Sequence, residues 1–351
     1  MKRAVIFGVT GQDGSYLSEL LLSKDYEVTG VARRSSGSNT TRIDHLLDNE
    51  KFVLVQGDVT DVTSIHRVLH EYLPHEIYNL AAQSHVWTSF QQPTLTWNVT
   101  AQGCLNILET ILTLPNDPKF YQASSSEMFG KNCSVEQIPM RSDLPKRKSA
   151  KFQDEDTPFA PQSPYAIAKL AAHNTTALYR KAYDIFACSG ILFNHESERR
   201  GESFLTRKVS NYIADLHHAR QAGMFIPKLK LGNLSSYRDW GHAEDYVEAM
   251  WLMLQHDKPD DYVISTGKTY SVEEFVIEAF KCINIYRYKE YVETDKNLYR
   301  PSEVPYLCGD SSKAQRVLSW QPTISFQELV KRMVDYDIQS RSRLGKCIVG
   351  T

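Results

Sequence analysis

No stretch of this 351-residue chain stays apolar for the ~20 residues that a membrane-crossing helix needs. The N-terminal run Ala4 to Phe7 follows Lys2-Arg3 and stops at a glycine, too short for a secretion signal and without a small-residue cleavage site. The six cysteines, Cys104, Cys133, Cys188, Cys282, Cys308 and Cys347, form no Cys-x-x-Cys pair. That scatter argues against structural zinc or a disulfide frame and for reduced thiols. Charge of one sign is also missing: a net charge of −2 lacks the basic excess of a nucleic-acid binder. Internal repeats and low-complexity tracts are absent. The expectation is a cytoplasmic protein whose partners are small molecules, neither nucleic acid nor membrane. Its length exceeds what one hydrophobic core usually serves, so two lobes are expected.

What is present begins with a turn. Ala4 to Phe7 reads as a buried strand, then come Gly8-Val9-Thr10-Gly11-Gln12-Asp13-Gly14 and a helix from about Ser15 to Ser23. Glycines let backbone approach a pyrophosphate, and a helix N-terminus offers free N–H donors and a partial positive charge. Glycine turns also end ordinary strands, but the strand–turn–helix context favours dinucleotide binding. The strand Glu27 to Ala32 ends at Arg33-Arg34-Ser35-Ser36. An acid there would take a ribose 2′-hydroxyl, whereas cations and hydroxyls suit a 2′-phosphate, so NADP is expected.

Phe52 to Gln56 is a third strand, closed by Gly57-Asp58-Val59, with Asp58 placed for an adenine edge or for capping a helix near Asp61. A fourth, Glu76 to Leu80, runs into Ala81-Ala82-Gln83-Ser84-His85, small residues that admit a cofactor. His85 reads equally as a ligand donor or a structural histidine. A helical pattern from Thr94 to Leu112 precedes the strand end Phe120-Tyr121 and the stretch Gln122 to Gly130, three serines and Glu127 in a loop. Ligands in open parallel sheets bind at such carboxyl-end loops, though serine hydroxyls also satisfy local backbone. From Lys131 to Phe159 periodicity is lost through Pro139, Pro145, Lys146-Arg147-Lys148 and Asp154-Glu155-Asp156, which reads as an inserted, mobile surface loop.

Ser163-Pro164-Tyr165-Ala166-Ile167-Ala168-Lys169 opens a helix to about Tyr183, with Tyr165 and Lys169 on one face. A phenol of pKa ~10 becomes a useful base when an ammonium stabilises its phenolate. A sixth strand, Phe186 to Phe193, ends in Asn194-His195-Glu196-Ser197-Glu198-Arg199-Arg200-Gly201-Glu202. No second histidine follows His195 at i+4, so zinc is rejected and no metal is expected. Arg238 and Arg300 suit a diphosphate and Glu303 a base edge, with surface salt bridges as the plain alternative. Ser271 with Glu274 is a capping-box signature for a helix Val272 to Cys282.

Taken together, Gly8 to Tyr16, Arg33 to Ser36, Ile77 to Val86, Gly190 to Glu202 and Arg238 to Met253 resemble the GDP-mannose 4,6-dehydratase family. That family belongs to the extended short-chain dehydrogenase/reductase superfamily, and the likeness covers nearly the whole chain. Other sugar-nucleotide enzymes share the glycines and Tyr-x-x-x-Lys, but not the run from Asn194 to Glu202.

The resemblance implies Tyr165 as oxidising base, Lys169 as its partner, Glu127 as the acid/base for elimination, and Ser125 beside them. It places Gly8, Thr10, Gly11, Gln12, Asp13, Gly14, Arg33, Ser35, Ser36, Asp58, Val59, Leu80, Ala81, Ala82, Ser84, Tyr165, Lys169, His195 and Arg200 around NADP. GDP-mannose would meet Ser84, Ser125, Glu127, Asn194, Lys208, Arg238, Arg300 and Glu303. The product would be GDP-4-dehydro-6-deoxy-D-mannose, with a further reduction to GDP-D-rhamnose left open. Rival readings are another sugar-nucleotide epimerase or dehydratase, or a non-catalytic NADP sensor. Ser125 stands where the family usually has Thr, and Leu95 where it has a tyrosine near the cofactor. The stretches Met140 to Gln153 and near Met224 look inserted.

The implied fold is α/β: a Rossmann-like, doubly wound, seven-stranded, mostly parallel sheet with a smaller mixed α/β substrate lobe. Residues 1–190, with segments near 238–264 and 306–318, would form the cofactor domain. The substrate lobe would take 191–237, 265–305 and 319–345. A homodimer or homotetramer is expected.

Overall fold

The computed structural model describes residues 1–136, 150–299 and 301–349. Seven strands form its central sheet: β1 (Arg3–Phe7), β2 (Glu27–Ala32), β3 (Phe52–Gln56), β4 (Glu76–Asn79), β5 (Lys119–Ser125), β6 (Ala187–Leu192) and β7 (Asp261–Ile264). They lie in the order β3-β2-β1-β4-β5-β6-β7, and every pairing is parallel. Near-continuous apolar strands such as Ala4 to Phe7 are what a sheet covered on both faces requires. One face packs on helix α1 (Gln12–Ser23) and the helix Ala243–Gln255. The other packs on helices Val62–Tyr72, Gly103–Ile111 and Pro164–Tyr183. The order in which strands are added reverses between β1 and β4, so the loops after these strands part and open a crevice at the carboxyl edge.

Three local expectations change. β5 continues beyond Tyr121 through Ser125, because Gln122 to Ser125 pair with Ser189 to Leu192 of β6. Their polar side chains do not break the strand, since partners await inside: the Asn79 side chain donates to Oε1 of Gln122 at 2.8 Å. Residues Ser126–Phe129 then form a short 3-10 turn. The helix expected over Thr94 to Leu112 is divided into Pro93–Trp97, a wide π turn Asn98–Gln102, and Gly103–Ile111. Such turns frequently mark functional sites, and apolar periodicity does not reveal them.

The region read as a surface loop is partly anchored. Residues 137–149, with Pro139, Pro145 and the Lys146-Arg147-Lys148 run, lie outside the described residues. On either side, Ser134–Glu136 pairs antiparallel with Ala150–Phe152. Gln153 is buried and exchanges backbone hydrogen bonds of 2.8 Å with Cys308 and Asp310. Glu155 accepts from the Val263 N–H at 2.7 Å, and Phe159 rests on Phe129 with ring centres 5.1 Å apart. From Gln153 onward this stretch is therefore core-facing, because its side chains complete backbone groups of other segments.

A second set of elements builds a separate core. Helices Leu205–Gln221, Val272–Lys281 and Phe326–Val349 bury Val209, Phe275, Phe280 and Leu329 around Trp240. Beside them lies a mixed sheet in which Tyr237–His242 pairs parallel with Asn194–Glu196 and antiparallel with Thr269–Ser271. The capping box is present, with Glu274 closing on both the N–H and the hydroxyl of Ser271. No described helix is long and apolar enough to cross a membrane.

Candidate active site

A cavity of about 640 Å³ occupies the crevice at the carboxyl edge of β1, β4 and β5. Its floor is the glycine turn. Gly8 has φ +86°, and a side chain there would meet the Ala81 nitrogen at 2.9 Å. A side chain at Gly14 would strike the Gly8 carbonyl oxygen at 2.5 Å. Neither position admits a Cβ, so the turn, α1 and the β4 loop meet backbone to backbone. α1 begins at Gln12 on Gly11, which brings no capping side chain to its free N–H groups. That arrangement fits the diphosphate of a dinucleotide, with donors and dipole aimed at the anion.

The run Asn194 to Arg200 crosses in front of α1 and is stapled to it. His195 gives Nε2 to Asp13 at 2.8 Å and Nδ1 to the Phe193 carbonyl at 2.8 Å, while its ring stacks on Tyr246. Both ring nitrogens face acceptors, which is the environment of a charged imidazolium. Burial alone would push the Asp13 carboxyl up, but His195 and Arg200 outweigh it and hold it at about 2. Burial likewise opposes charge on His195, and Asp13 raises it above its ordinary value. Gln12 donates to the His195 carbonyl at 3.1 Å and accepts from Ser197 at 2.8 Å. Tyr16 donates to Glu198 at 2.5 Å. Glu196 holds Arg200 at 3.1 Å and accepts from Thr206 at 2.6 Å. His195 and Glu196 thus belong to hydrogen-bond networks, and no three acidic, histidine or cysteine side chains gather as a metal site among the described residues.

Opposite the turn stand the chemical groups. Ser163 caps helix Pro164–Tyr183, which sets Tyr165 and Lys169 one turn apart beside the end of β5. Lys169 is buried and donates to the Ala123 carbonyl at 2.6 Å. Burial pulls its ammonium down to about 8. The Tyr165 phenol is pushed up by burial to about 12, against the opposing hydrogen bond from Ser125 and the charge of Arg200. Lys169 stands 5.9 Å from the centre of the Tyr165 ring. Its ammonium is turned to backbone, so Ser125 and Arg200, rather than Lys169, restrain the phenol here. Ser125 also caps the 3-10 turn by accepting from the Glu127 N–H at 3.3 Å, which links three of these residues through one hydroxyl.

Most expected site residues line this one cavity: Gly8, Thr10, Gly11, Gln12, Asp13, Gly14, Arg33, Asp58, Val59, Leu80, Ala81, Ala82, Ser84, Ser125, Glu127, Tyr165, Lys169, Asn194, His195 and Arg200. Ser35 and Ser36 are exposed and lie outside its walls, past Arg33. The acid that caps helix Val62–Tyr72 is Asp61; Asp58 instead accepts from Thr60 N–H and hydroxyl at 2.9 and 2.8 Å. Three residues expected on the sugar nucleotide are elsewhere. Lys208 is half-buried and donates to the Lys230 carbonyl at 2.9 Å, and Arg238 is buried and holds Glu303 at 3.1 Å. Arg300 lies outside the described residues. Sequence reasoning missed Asn39, Val86, Val99, Phe204 and Leu205 in the walls. Only Val86 and Val99, adjoining motifs already singled out, carried any sequence signal. Leu95, without an assigned role, also lines the cavity.

A 3-2-1-4-5-6-7 parallel sheet, a glycine cradle at its reversal and a Tyr-x-x-x-Lys face across the cavity define an extended short-chain dehydrogenase/reductase. Solved structures agree on that fold. A Bacillus anthracis dTDP-glucose 4,6-dehydratase in complex with NAD superposes with a TM-score of 0.79 at 19% identity, over 97% of this chain and 98% of that one. A Pseudomonas aeruginosa protein, RMD, complexed with NADPH gives 0.73 at 19%, over 97% and 100%. Within this class the chain belongs to the GDP-mannose 4,6-dehydratase family, whose model matches residues 5–333. GDP-mannose 4,6 dehydratase 2 of Arabidopsis thaliana is 48% identical over 97% of this chain and 88% of its own length.

Proposed function

We propose that the chain converts GDP-D-mannose to GDP-4-dehydro-6-deoxy-D-mannose, with NADP as a cofactor regenerated at each turnover. The observation that carries this reading is the convergence of Tyr165, Ser125, Glu127 and Lys169 on one cavity with the glycine cradle. An oxidation-and-return sequence needs a redox pair and a separate carboxylate, and these residues supply both. With its diphosphate held by the cradle, the dinucleotide would supply hydride acceptance from C4 of the hexose and hydride return at C6. Tyr165 takes the C4 hydroxyl proton, with Ser125 as its hydrogen-bond partner. The Glu127 carboxylate takes the C5 proton made acidic by the C4 ketone. The C6 hydroxide leaves as water with one of these protons, and the other returns to C5. Two protons are taken and two are given back, so the net change is loss of one water.

Arg33, exposed at the cavity mouth, supports NADP over NAD because no acid stands at the end of β2. The two packed cores support a cofactor domain of residues 1–190 with 238–264 and 306–318, and a sugar-nucleotide lobe from the remainder. A homodimer or homotetramer is supported by Trp97, Leu112, Leu178 and Tyr183, large side chains 42 to 59% exposed on the two neighbouring helical segments that flank the cavity. Incubation with GDP-mannose, with and without added NADPH, followed by product identification, tests the whole reading. The 4-keto-6-deoxy product without added NADPH is expected, and GDP-rhamnose with it marks the side reduction. An epimerised hexose would sink the assignment.

A further inference from the structure

Behind the cavity, a second group of polar side chains meets the end of β5 from the side away from the glycine turn. Ser124, buried yet at the cavity wall, lies 3.0 Å from Nδ1 of His173. His173 is also buried, one helical turn beyond Lys169 on the same helix face, with Phe159 edge-on to its ring. Its other nitrogen, Nε2, faces Asp261 at the start of β7 at 4.0 Å. Asp261 is held in turn: Arg180 reaches it at 2.6 Å and the Ser189 N–H at 3.1 Å. Lys313 donates to its carbonyl at 2.8 Å and pairs with Asp260 at 2.7 Å, and Asp260 lies 3.7 Å from Arg180. An acid opposite Nε2 selects the tautomer with its proton there. Nδ1 is then an acceptor, and the Ser124 hydroxyl donates to it.

The neighbouring residue of β5 is Ala123, whose carbonyl receives Lys169. Lys169 and His173, four residues apart, therefore grip adjacent residues of one strand end. Ser125, which bonds Tyr165, is the next residue along. We propose that His173, oriented by Asp261, is a positioning residue for the oxidising pair. Through Ser124 it fixes the strand end against which Lys169, Ser125 and Tyr165 are aligned. It touches neither substrate nor cofactor. The inference rests on the reading of Tyr165 and Lys169 given above.

Protonation of His173 would put hydrogen on both nitrogens and end acceptance from Ser124. Burial and the nearby Arg180 keep the imidazole below its ordinary value, with Asp261 opposing them. The groups facing it are Ser124 on β5, Asp261 on β7 and Arg180 on its own helix, with Asp260 and Lys313 behind them on Arg180 and Asp261. An acid limb in kcat below about pH 6.5 follows, one that belongs to His173.

Steady-state kinetics with GDP-mannose in His173→Asn, His173→Leu, Ser124→Ala and the Ser124→Ala/His173→Leu double variant test this. A near-attack geometry lost by misplacement costs roughly tenfold to a hundredfold. His173→Leu and Ser124→Ala should lose that in kcat with KM within about twofold, and the double variant should be no worse than either single one. His173→Asn keeps an acceptor for Ser124, so its kcat should stay within about threefold of wild type, with the acid limb gone. Multiplying losses in the double variant, an unchanged kcat in Ser124→Ala, or an acid limb that persists in His173→Asn would each overturn the inference. Ser124→Ala, which removes one atom, keeps the test decisive if His173→Leu fails to fold. Tyr165→Phe run alongside separates the two readings. Activity surviving in it sinks the oxidising pair, whereas its loss beside unchanged Ser124→Ala and His173→Leu sinks only His173.

Discussion

At one end of the cavity Gly8 and Gly14 leave no space for a Cβ, and Asp13, Gln12 and Tyr16 of α1 are each bonded to the run from His195 to Glu198. In the C-terminal half, by contrast, the two described cations expected to meet a sugar nucleotide are spent on protein groups: Arg238 on Glu303, Lys208 on the Lys230 carbonyl. The first end is fixed by backbone contact and buried charge pairs, which have one arrangement. The second is fixed by side chains that can exchange one partner for another.

The largest effect should come from the group between these regions. Tyr165→Phe removes the base while keeping the ring, and should lower turnover by about 10²–10⁴-fold. Product formation measured by chromatography checks it, with circular dichroism to show that the fold is kept. A loss under tenfold would place the oxidising base elsewhere.

The next effect probes the rigid end. Asp13→Asn leaves His195 facing an amide; the pair is part-buried, so losing one partner should cost less than the roughly 3–5 kcal/mol of a fully buried pair. The pH dependence has a definite sign. Asp13, held at about 2, contributes stability above its ordinary value near 4 that is lost as pH falls towards 2. His195, raised by Asp13, contributes below its ordinary value near 6.5, and that part is lost as pH rises through its folded value. The gap in Tm between wild type and variant should therefore be widest between about pH 4 and 6.5. A gap that does not vary between pH 3 and 8 would mean that the pair is not what staples α1.

The sequence made the rigid end legible because its signals are local. Seven residues, Gly8 to Gly14, carry the turn, and Tyr165 with Lys169 are four apart. The far end was less legible because its partners are distant. Arg238 meets Glu303 across 65 positions, and nothing in either segment announces the other. The end of β5 was misread for a related reason: Gln122 to Ser125 look like a loop by composition, and distant partners, Ser189 to Leu192 of β6 with the Asn79 and His173 side chains, hold them as strand. The π turn Asn98–Gln102 keeps an ordinary helical pattern, so its extra residue is invisible until the helix is seen. Gln153 to Phe159 looked exposed because their role is to complete the backbone of β7 and Cys308, not to form an apolar stripe.

A smaller effect sharpens the comparison at the cavity mouth. Arg33 is exposed, so Arg33→Ala should weaken NADP binding by about tenfold through loss of one charge-assisted contact, and leave NAD binding nearly unchanged. Titration of the protein's intrinsic fluorescence with each cofactor reads both. Equal losses for NADP and NAD would remove the argument for NADP.

The central claim is that Glu127, set by the 3-10 turn after β5, is the eliminating base and is separable from the oxidising pair. Glu127→Gln keeps the shape of the turn and leaves Tyr165 and Lys169 in place. The measurement is solvent deuterium incorporation at C5 after mixing with GDP-mannose, read together with the absorbance of reduced nicotinamide on the enzyme. The account predicts that exchange at C5 falls by about 10²-fold or more while reduced cofactor accumulates beside a 4-keto sugar that keeps its C6 hydroxyl. Exchange at the wild-type rate in Glu127→Gln would contradict it.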